Sequence, residues 1–500
     1  MSAKRDNGAL RHIDVSLDRK SNIPLHRQLR RHFTRLIANH EIDNGEFLPS
    51  TRAIAESLGI NRLTALRAFQ AMQRAGTVRA HRGRGYYVAR PGDSDLALGR
   101  PRDLFGARAT YQARPEHAFS DTVRSATDMP LSFAVGYPDI AMLPSKQIRR
   151  MFARWSDQFG GRDLAYQSPA GHSQLRLQLW HYLEARGIAQ TPDRELLVTN
   201  GAQHALDIFA RAFPRKTGFV AMESPAYYGA LAVVRVNGYT GLPIVQDESG
   251  LSTAALAGLC QSRSFDFLYV NPTYNNPTGT TMPRDRRESV VALAHAHDFV
   301  ILEDDTYADL GFAGTRPTTL MALDAHNRTC HIGSFSKSFI PGLRMGYIVG
   351  PKNLIARMID IHGVNEMCSA TLSQLVLYDA LASGFYDRHV RRMRKIYAQR
   401  CAVMKDALTR ELTNGCRFAA PKGGFFYWVR LPERIDCREL QRRCNIAGVD
   451  IALGPEFFTE GYGGNYIRLN FTLLDEDKIR LGVKLMAEQI RDLLGSGRVP

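Results

Sequence analysis

The chain is 500 residues long, 44% hydrophobic, and carries a formal net charge of +16. That length predicts two or three domains around a large apolar core. Seven cysteines, odd in number and without a CxxC pair, argue against a disulfide framework or a zinc site and fit a reducing cytoplasm; no apolar run is long enough to predict a membrane span.

The charge is uneven. Residues 1–90 hold 17 Lys+Arg against 7 Asp+Glu, which predicts a compact polyanion-binding module ahead of a nearly balanced globule. After Pro24, residues Leu25, Leu29, Phe33, Leu36 and Ile37 recur at helical spacing. Pro49-Ser50 opens a second, short helix, with Ser50 as N-cap and Ile54, Ala55 and Leu58 as its apolar face; Gly59 ends it. Asn61 caps a third helix, in which Leu63, Leu66, Phe69 and Met72 are expected to face inward and which Gly76 closes. Val78–Ala80 and Tyr86–Ala89 then read as two strands around the arginine-loaded tip His81-Arg82-Gly83-Arg84-Gly85. This order and spacing resembles the winged helix-turn-helix of GntR-type transcription regulators, with Asn44 standing where a proline is common in that family. The resemblance implies that the third helix enters the major groove and the wing meets the backbone or minor groove. Arg52, Asn61, Arg62 and Thr64 would then contact DNA, with Arg82, Gly83 and Arg84 from the wing.

Residues 90–130 show little periodicity and are interrupted by Gly99, Pro101, Gly106, Pro115 and Pro130, which reads as a linker. From residue 131 strand-like and helix-like runs alternate, the pattern of an α/β fold with a mainly parallel sheet. Several strand ends carry chemistry. Leu196–Thr199 runs into Asn200-Gly201-Ala202-Gln203 and a helix start, where backbone N–H groups can cradle a phosphate. Val220–Ser224 runs into Pro225-Ala226-Tyr227, and Phe267–Val270 into the polar stretch Asn271–Gly279. Phe299–Leu302 ends in Glu303-Asp304-Asp305-Thr306-Tyr307. Ser334-Phe335-Ser336-Lys337 sets a lysine among hydroxyls, and Arg344 follows across a Pro-Gly turn. Such a lysine could form a Schiff base with an aldehyde cofactor whose phosphate the hydroxyls and the arginine hold.

In this order these stretches resemble the fold-type I, pyridoxal-phosphate (PLP) aminotransferases. The resemblance makes Lys337 the Schiff-base lysine and puts Ser334, Ser336, Arg344, Gly201, Ala202 and Gln203 on the cofactor phosphate. Tyr227 would stack on the pyridine ring, Asn276 would donate to the phenolic oxygen, Asp304 would sit at the pyridine nitrogen, and Tyr307 would tune the Schiff base. It makes Asn276-Pro277 a candidate cis peptide. Arg468, in Tyr466–Phe471, would grip a ligand carboxylate, and Gly136, in Phe133–Asp139, would lie over the ligand. Tyr166 matches a tyrosine that reaches the phosphate of the neighbouring subunit, which implies a homodimer with shared sites.

A winged helix (1–89), a linker (90–130) and an aminotransferase-like domain (131–500) resemble the MocR subgroup of GntR-type regulators. The resemblance implies a cytoplasmic, PLP-dependent regulator of promoter DNA that senses an amino compound, PLP, or both by aldimine exchange at Lys337. No metal is expected. The competing reading is an aminotransferase that carries a DNA-binding domain, since every catalytic position is filled.

Overall fold

The computed structural model describes residues 17–19, 21, 24–38, 41–42, 46–74, 77–81, 85–88, 129–156, 160, 165–313, 316–412, 415–459 and 464–495. The chain divides into two compact units, Met1–Glu116 and His117–Pro500. Nearly all of the expected linker, Asn44, Gly76 and the wing residues Arg82, Gly83 and Arg84 lie outside the described residues.

In the first unit, helices α1 (Leu25–Ala38), α2 (Thr51–Leu58) and α3 (Arg62–Arg74) precede strands β1 (Val78–His81) and β2 (Gly85–Val88). The helix ends follow from local chemistry. The Ser50 hydroxyl accepts from the Ala53 N–H at 3.1 Å and starts α2. Gly59 stops it in the left-handed region at φ 57°, where a side chain would be strained. Asn61 Oδ1 accepts from the Leu63 N–H at 2.8 Å at the start of α3. Leu29, Phe33, Ile54, Ala65, Ala68, Phe69 and Met72 close a core against Val78 and Val88, which face each other across the antiparallel β1–β2 pair. The α3 face differs from the expected one. Leu63 is 59% exposed, and the inward positions are Ala65, Ala68, Phe69 and Met72. The two alanines let the helix pack closely, so the buried stripe is rotated away from Leu63. Ser50→Ala removes the α2 cap and is expected to lower the stability of this unit by about 1 kcal/mol, read as a lower denaturant midpoint of residues 1–90 with an unchanged slope.

The second unit begins with strand β3 (Leu131–Ser132) and helix α4 (Ser145–Ser156). Its main sheet is built from β4 (Arg194–Thr199), β5 (Phe219–Ser224), β6 (Thr240–Asp247), β7 (Gly250–Leu251), β8 (Phe267–Val270), β9 (Val300–Asp304), β10 (Thr329–Ser334) and β11 (Gly346–Pro351), in the order β4-β11-β10-β9-β8-β5-β6-β7. Pairs β6–β5, β5–β8, β8–β9 and β9–β10 are parallel, and β11 runs against both β10 and β4. Runs such as Phe267–Val270 are buried throughout because helices cover both faces of the sheet. A smaller antiparallel sheet has the order β12 (Arg417–Phe418), β13 (Phe426–Arg430), β16 (Tyr466–Asn470), β15 (Ala452–Leu453), and β14 (Val449–Asp450) pairs with β3. Helix α5 (Ala202–Ala212) follows β4, and α6 (Lys352–Glu366) follows β11. The 27-residue α7 (Phe385–Glu411) joins two cores: Tyr386 and Val390 pack with the main sheet, and Met393, Tyr397 and Met404 with the smaller one and α8 (Glu476–Gly495).

The parallel arrangement decides where chemistry is possible. Strands β4, β5, β8, β9 and β10 point the same way, so their carboxyl ends open on one edge of the sheet, where ligands bind in α/β folds. No described helix is long and apolar enough to cross a membrane.

Candidate functional site

Lys337 follows β10 and donates from Nζ to the Gly136 carbonyl at 2.8 Å. Burial, then the nearby guanidinium groups of Arg468 and Arg344, pull its pKa down to about 8. About a tenth of this amine is therefore uncharged at neutral pH, far more than for a surface lysine.

Asp304, at the carboxyl end of β9, is buried and holds three donors. Tyr269 OH donates at 2.9 Å, and the Thr306 hydroxyl and N–H donate at 2.6 and 3.2 Å. Burial raises its pKa, while the hydrogen bonds from Thr306 and Tyr269 oppose the rise. Asn276, at a cis Asn276-Pro277 bond, accepts at Oδ1 from Arg468 Nη1 at 2.8 Å, and its amide also meets the Tyr307 side chain. A second cis bond, Ser224-Pro225, precedes Tyr227. The Tyr227 hydroxyl donates to Gln203 Oε1 at 3.2 Å, and Gln203 Nε2 donates to the Gly229 carbonyl at 3.0 Å.

The turn before α5 is shaped for an anion. Gly201 has φ 88°, and a Cβ there would meet Arg344 Nη2 at 2.8 Å. Arg344 donates to the Asn200 carbonyl at 2.9 Å and to Ser336 Oγ at 3.3 Å, and Ser334 Oγ accepts from the Ser336 N–H at 3.2 Å. No side chain caps α5, and the N–H groups of Ala202 and Gln203 have no acceptor among the described residues. Helix-start N–H groups, a guanidinium and two hydroxyls are the donor set a phosphate requires. Gly346 lies beneath the turn, where a Cβ would sit 2.9 Å from the Gly201 backbone and from the Gly333 carbonyl. None of those backbone atoms can swing aside. Gly346→Ala is expected to cost about 2 kcal/mol and to weaken phosphate retention, measured as a lower Tm together with faster loss of bound cofactor on dialysis.

Arg468, on β16, is 1% exposed. Besides Asn276 it donates to the Ala134 carbonyl, and its Nε has no partner. The rings of Phe426, Phe457 and Tyr228 lie 4.1, 4.8 and 5.9 Å from its guanidinium carbon. It forms no ion pair with a carboxylate among the described residues.

His204, His362 and Glu366 meet just outside the phosphate turn. The Asn200 N–H donates to His204 Nδ1 at 3.0 Å, so the remaining proton of a neutral His204 is on Nε2, 3.4 Å from Glu366. A metal at that nitrogen would demand an imidazolate, so the trio is read as a contact between α6 and the start of α5, with His362 Nε2 3.7 Å from Glu366.

The structure thus brings Gly136, Gly201, Ala202, Gln203, Tyr227, Asn276, Asp304, Tyr307, Ser334, Ser336, Lys337, Arg344 and Arg468 to one edge of the main sheet. Tyr166 stays apart, 78% exposed and without a hydrogen bond among the described residues. Sequence reasoning missed Tyr269 and Thr306 beneath Asp304 and the rings around Arg468. Each of the three rings sits in an aromatic pair or run of the sequence, Tyr227-Tyr228, Phe425–Trp428 and Phe457-Phe458, but nothing local joins them. In the first unit Arg52, Asn61 and Arg62 are exposed, Thr64 is half-buried, and Arg52 is paired with Glu56 at 2.9 Å.

A three-helix winged unit and a PLP-type α/β transferase unit in one chain define the class. Residues 132–484 match the family model "Aminotransferase class I and II", and residues 25–88 match "Bacterial regulatory proteins, gntR family". The HTH-type transcriptional regulator YisV of Bacillus subtilis is 28% identical over 490 residues, 96% of this chain and 98% of its own. The probable rhizopine catabolism regulatory protein MocR of Rhizobium meliloti is 28% identical over 492 residues, 97% of each chain. Among solved structures, a Pyrococcus horikoshii kynurenine aminotransferase in complex with PMP superposes with a TM-score of 0.74 at 30% identity, over 79% of this chain and 98% of that one. The chain belongs to the aminotransferase class I and II family, with a GntR-type regulatory domain fused ahead of it, and the family's cofactor is pyridoxal phosphate. The donor set fits that cofactor, because the acceptor-free N–H groups at Ala202 and Gln203 and the Gly201–Arg344 cradle supply what its phosphate needs.

Proposed function

We propose that this chain is a cytoplasmic transcription regulator whose aminotransferase-like unit reads an amine that carries a carboxylate. The observation that carries the proposal is the pairing of two cations on one backbone stretch. Lys337 is anchored on the Gly136 carbonyl and Arg468 on the Ala134 carbonyl, two residues away. With an aldehyde cofactor on Lys337, the amine of a small molecule would meet the aldehyde carried there, and its acid group would meet Arg468. When bound, pyridoxal phosphate supplies an aldehyde that condenses with amines and a ring that withdraws electrons. Lys337 would hold the cofactor, Asp304 would keep the ring nitrogen protonated, and Asn276 and Tyr307 would donate at the phenolic oxygen. The turn Gly201–Gln203, Ser334, Ser336 and Arg344 would bind the phosphate, and Tyr227 would cover the ring. Arg468 orients the ligand carboxylate beneath Gly136.

Exposed Tyr166 is free to reach a second copy, which supports a homodimer with shared sites. Two winged helices would then address two half-sites, through Arg52, Asn61, Arg62, Thr64 and the wing residues Arg82, Gly83 and Arg84. The ligand regulates only if it favours one arrangement of the dimer over another.

The test is an absorbance titration of the cofactor-loaded protein with a panel of amino compounds, repeated with labelled promoter DNA. A stable spectral change with one carboxylated amine, coupled to altered DNA affinity and without release of keto acid, is the expected result. Keto acid accumulating over many turnovers, with DNA binding indifferent to the ligand, would make the protein an aminotransferase.

A further inference from the structure

A cavity opens where the segment after Gly136 meets the start of α7. It measures about 470 Å³ and is walled by residues 141–147, the segment entering α4, and by the first turns of α7. That is ample room for a small organic molecule.

Its chemistry is one-sided. Lys146, Arg388 and Arg392 line it, and no carboxylate does. Lys146 and Arg392 make no ion pair or hydrogen bond among the described residues, and Arg388 donates only to the Ser383 carbonyl, at 3.2 Å. The N–H groups of Lys146 and Gln147, at the start of 12-residue α4, also lack an acceptor, which adds the positive end of a helix to three uncompensated cations. His389 lines the cavity, is only 8% exposed, and its ring nitrogens have no hydrogen-bond partner among the described residues. Burial, then the charge of Arg392, lowers its pKa to about 4, so at neutral pH it offers an uncharged imidazole. Leu143 and Phe385 supply an apolar wall.

A bare anion would use the cations and waste the apolar wall; an uncharged molecule would do the reverse. We propose that this cavity is a second ligand site, for a small phosphate ester with an apolar or aromatic body. Its phosphate meets Lys146, Arg388, Arg392 and the start of α4, and its body lies against Leu143 and Phe385. The walls belong to different cores: Met142 packs with the smaller sheet, while Phe385 packs with the main one. An occupant therefore links the two.

The test is calorimetric titration of the cofactor-loaded, full-length protein with adenosine 5'-monophosphate, adenosine and inorganic phosphate. The monophosphate is expected to bind, and adenosine and inorganic phosphate each at least about tenfold more weakly. Arg388→Gln with Arg392→Gln should weaken the monophosphate by about tenfold or more, leaving the visible spectrum and the unfolding curve unchanged because both arginines are exposed. Arg284→Gln, at a surface arginine paired with Glu288 elsewhere, should change nothing. Absence of binding, or an affinity indifferent to the double substitution, overturns the proposal. So does a double variant that loses only promoter affinity, because the cations would then serve DNA.

Discussion

Lys337→Ala is expected to abolish covalent retention of pyridoxal phosphate and the visible absorbance that goes with it, while promoter DNA affinity stays within about twofold. Two properties of the position set the size of this effect. The amine is buried, with Arg344 and Arg468 beside it, so it loses its proton far more readily than a surface lysine. Only the uncharged form attacks a carbonyl. It is also held at the Gly136 carbonyl, where it faces Asp304 and the phosphate turn. Lys337→Arg keeps the charge and gives the same loss, because a guanidinium stays protonated. The pH dependence has a definite sign. With a pKa of about 8 in the folded apo-protein, cofactor uptake should accelerate about tenfold per pH unit as pH rises toward 8 and level off above it. Stopped-flow absorbance reads this directly. A flat profile between pH 6 and 8 would show that another group limits uptake.

Arg468→Leu should weaken the response to a carboxylated amine by at least about thirtyfold, in line with the roughly 2–5 kcal/mol lost when one partner of a buried charge pair is removed. The guanidinium is almost completely buried, yet among the described residues no carboxylate pairs with it; carbonyl oxygens and three aromatic rings hold it instead. Burial lowers its pKa. A cation left in this state binds an incoming carboxylate strongly, because its desolvation was already met on folding. Arg468→Lys keeps a charge but not the planar fork, and should recover only part of the affinity. Amines without an acid group should not distinguish Arg468→Leu from the parent, and a full response of that variant to a carboxylated amine would remove Arg468 from the ligand site. Spectral titration of both variants against matched amines with and without a carboxylate measures this.

Much of this site is legible in the sequence because its parts are local. The Asn271–Gly279 stretch, the Ser334–Lys337 run and the turn Gly201–Gln203 each follow a short buried strand, and a parallel sheet must deliver such strand ends to a common edge. The surroundings of Arg468 are not legible in that way. Tyr228, Phe426 and Phe457 come from three separate segments, and only the tertiary fold gathers them. The support under Asp304 is split likewise: Thr306 is two residues away, but Tyr269 comes from the neighbouring strand. In α3 the periodicity misled, since Leu63 and Ala65 both fit a helical stripe and the larger residue suggests burial. The close packing of α1 against α3 favours the alanines and leaves Leu63 at the surface beside Arg62 and Thr64.

Helix α7 has a consequence for how the second unit comes apart. A single uninterrupted helix contributes side chains to both hydrophobic cores, Tyr386 and Val390 to one and Met393, Tyr397, Met404 and Leu408 to the other. Neither core can melt without stripping packing from the helix that the other also needs. Their unfolding is therefore coupled into one cooperative event. A destabilising substitution in the smaller sheet is felt at the phosphate turn as a raised population of the open chain.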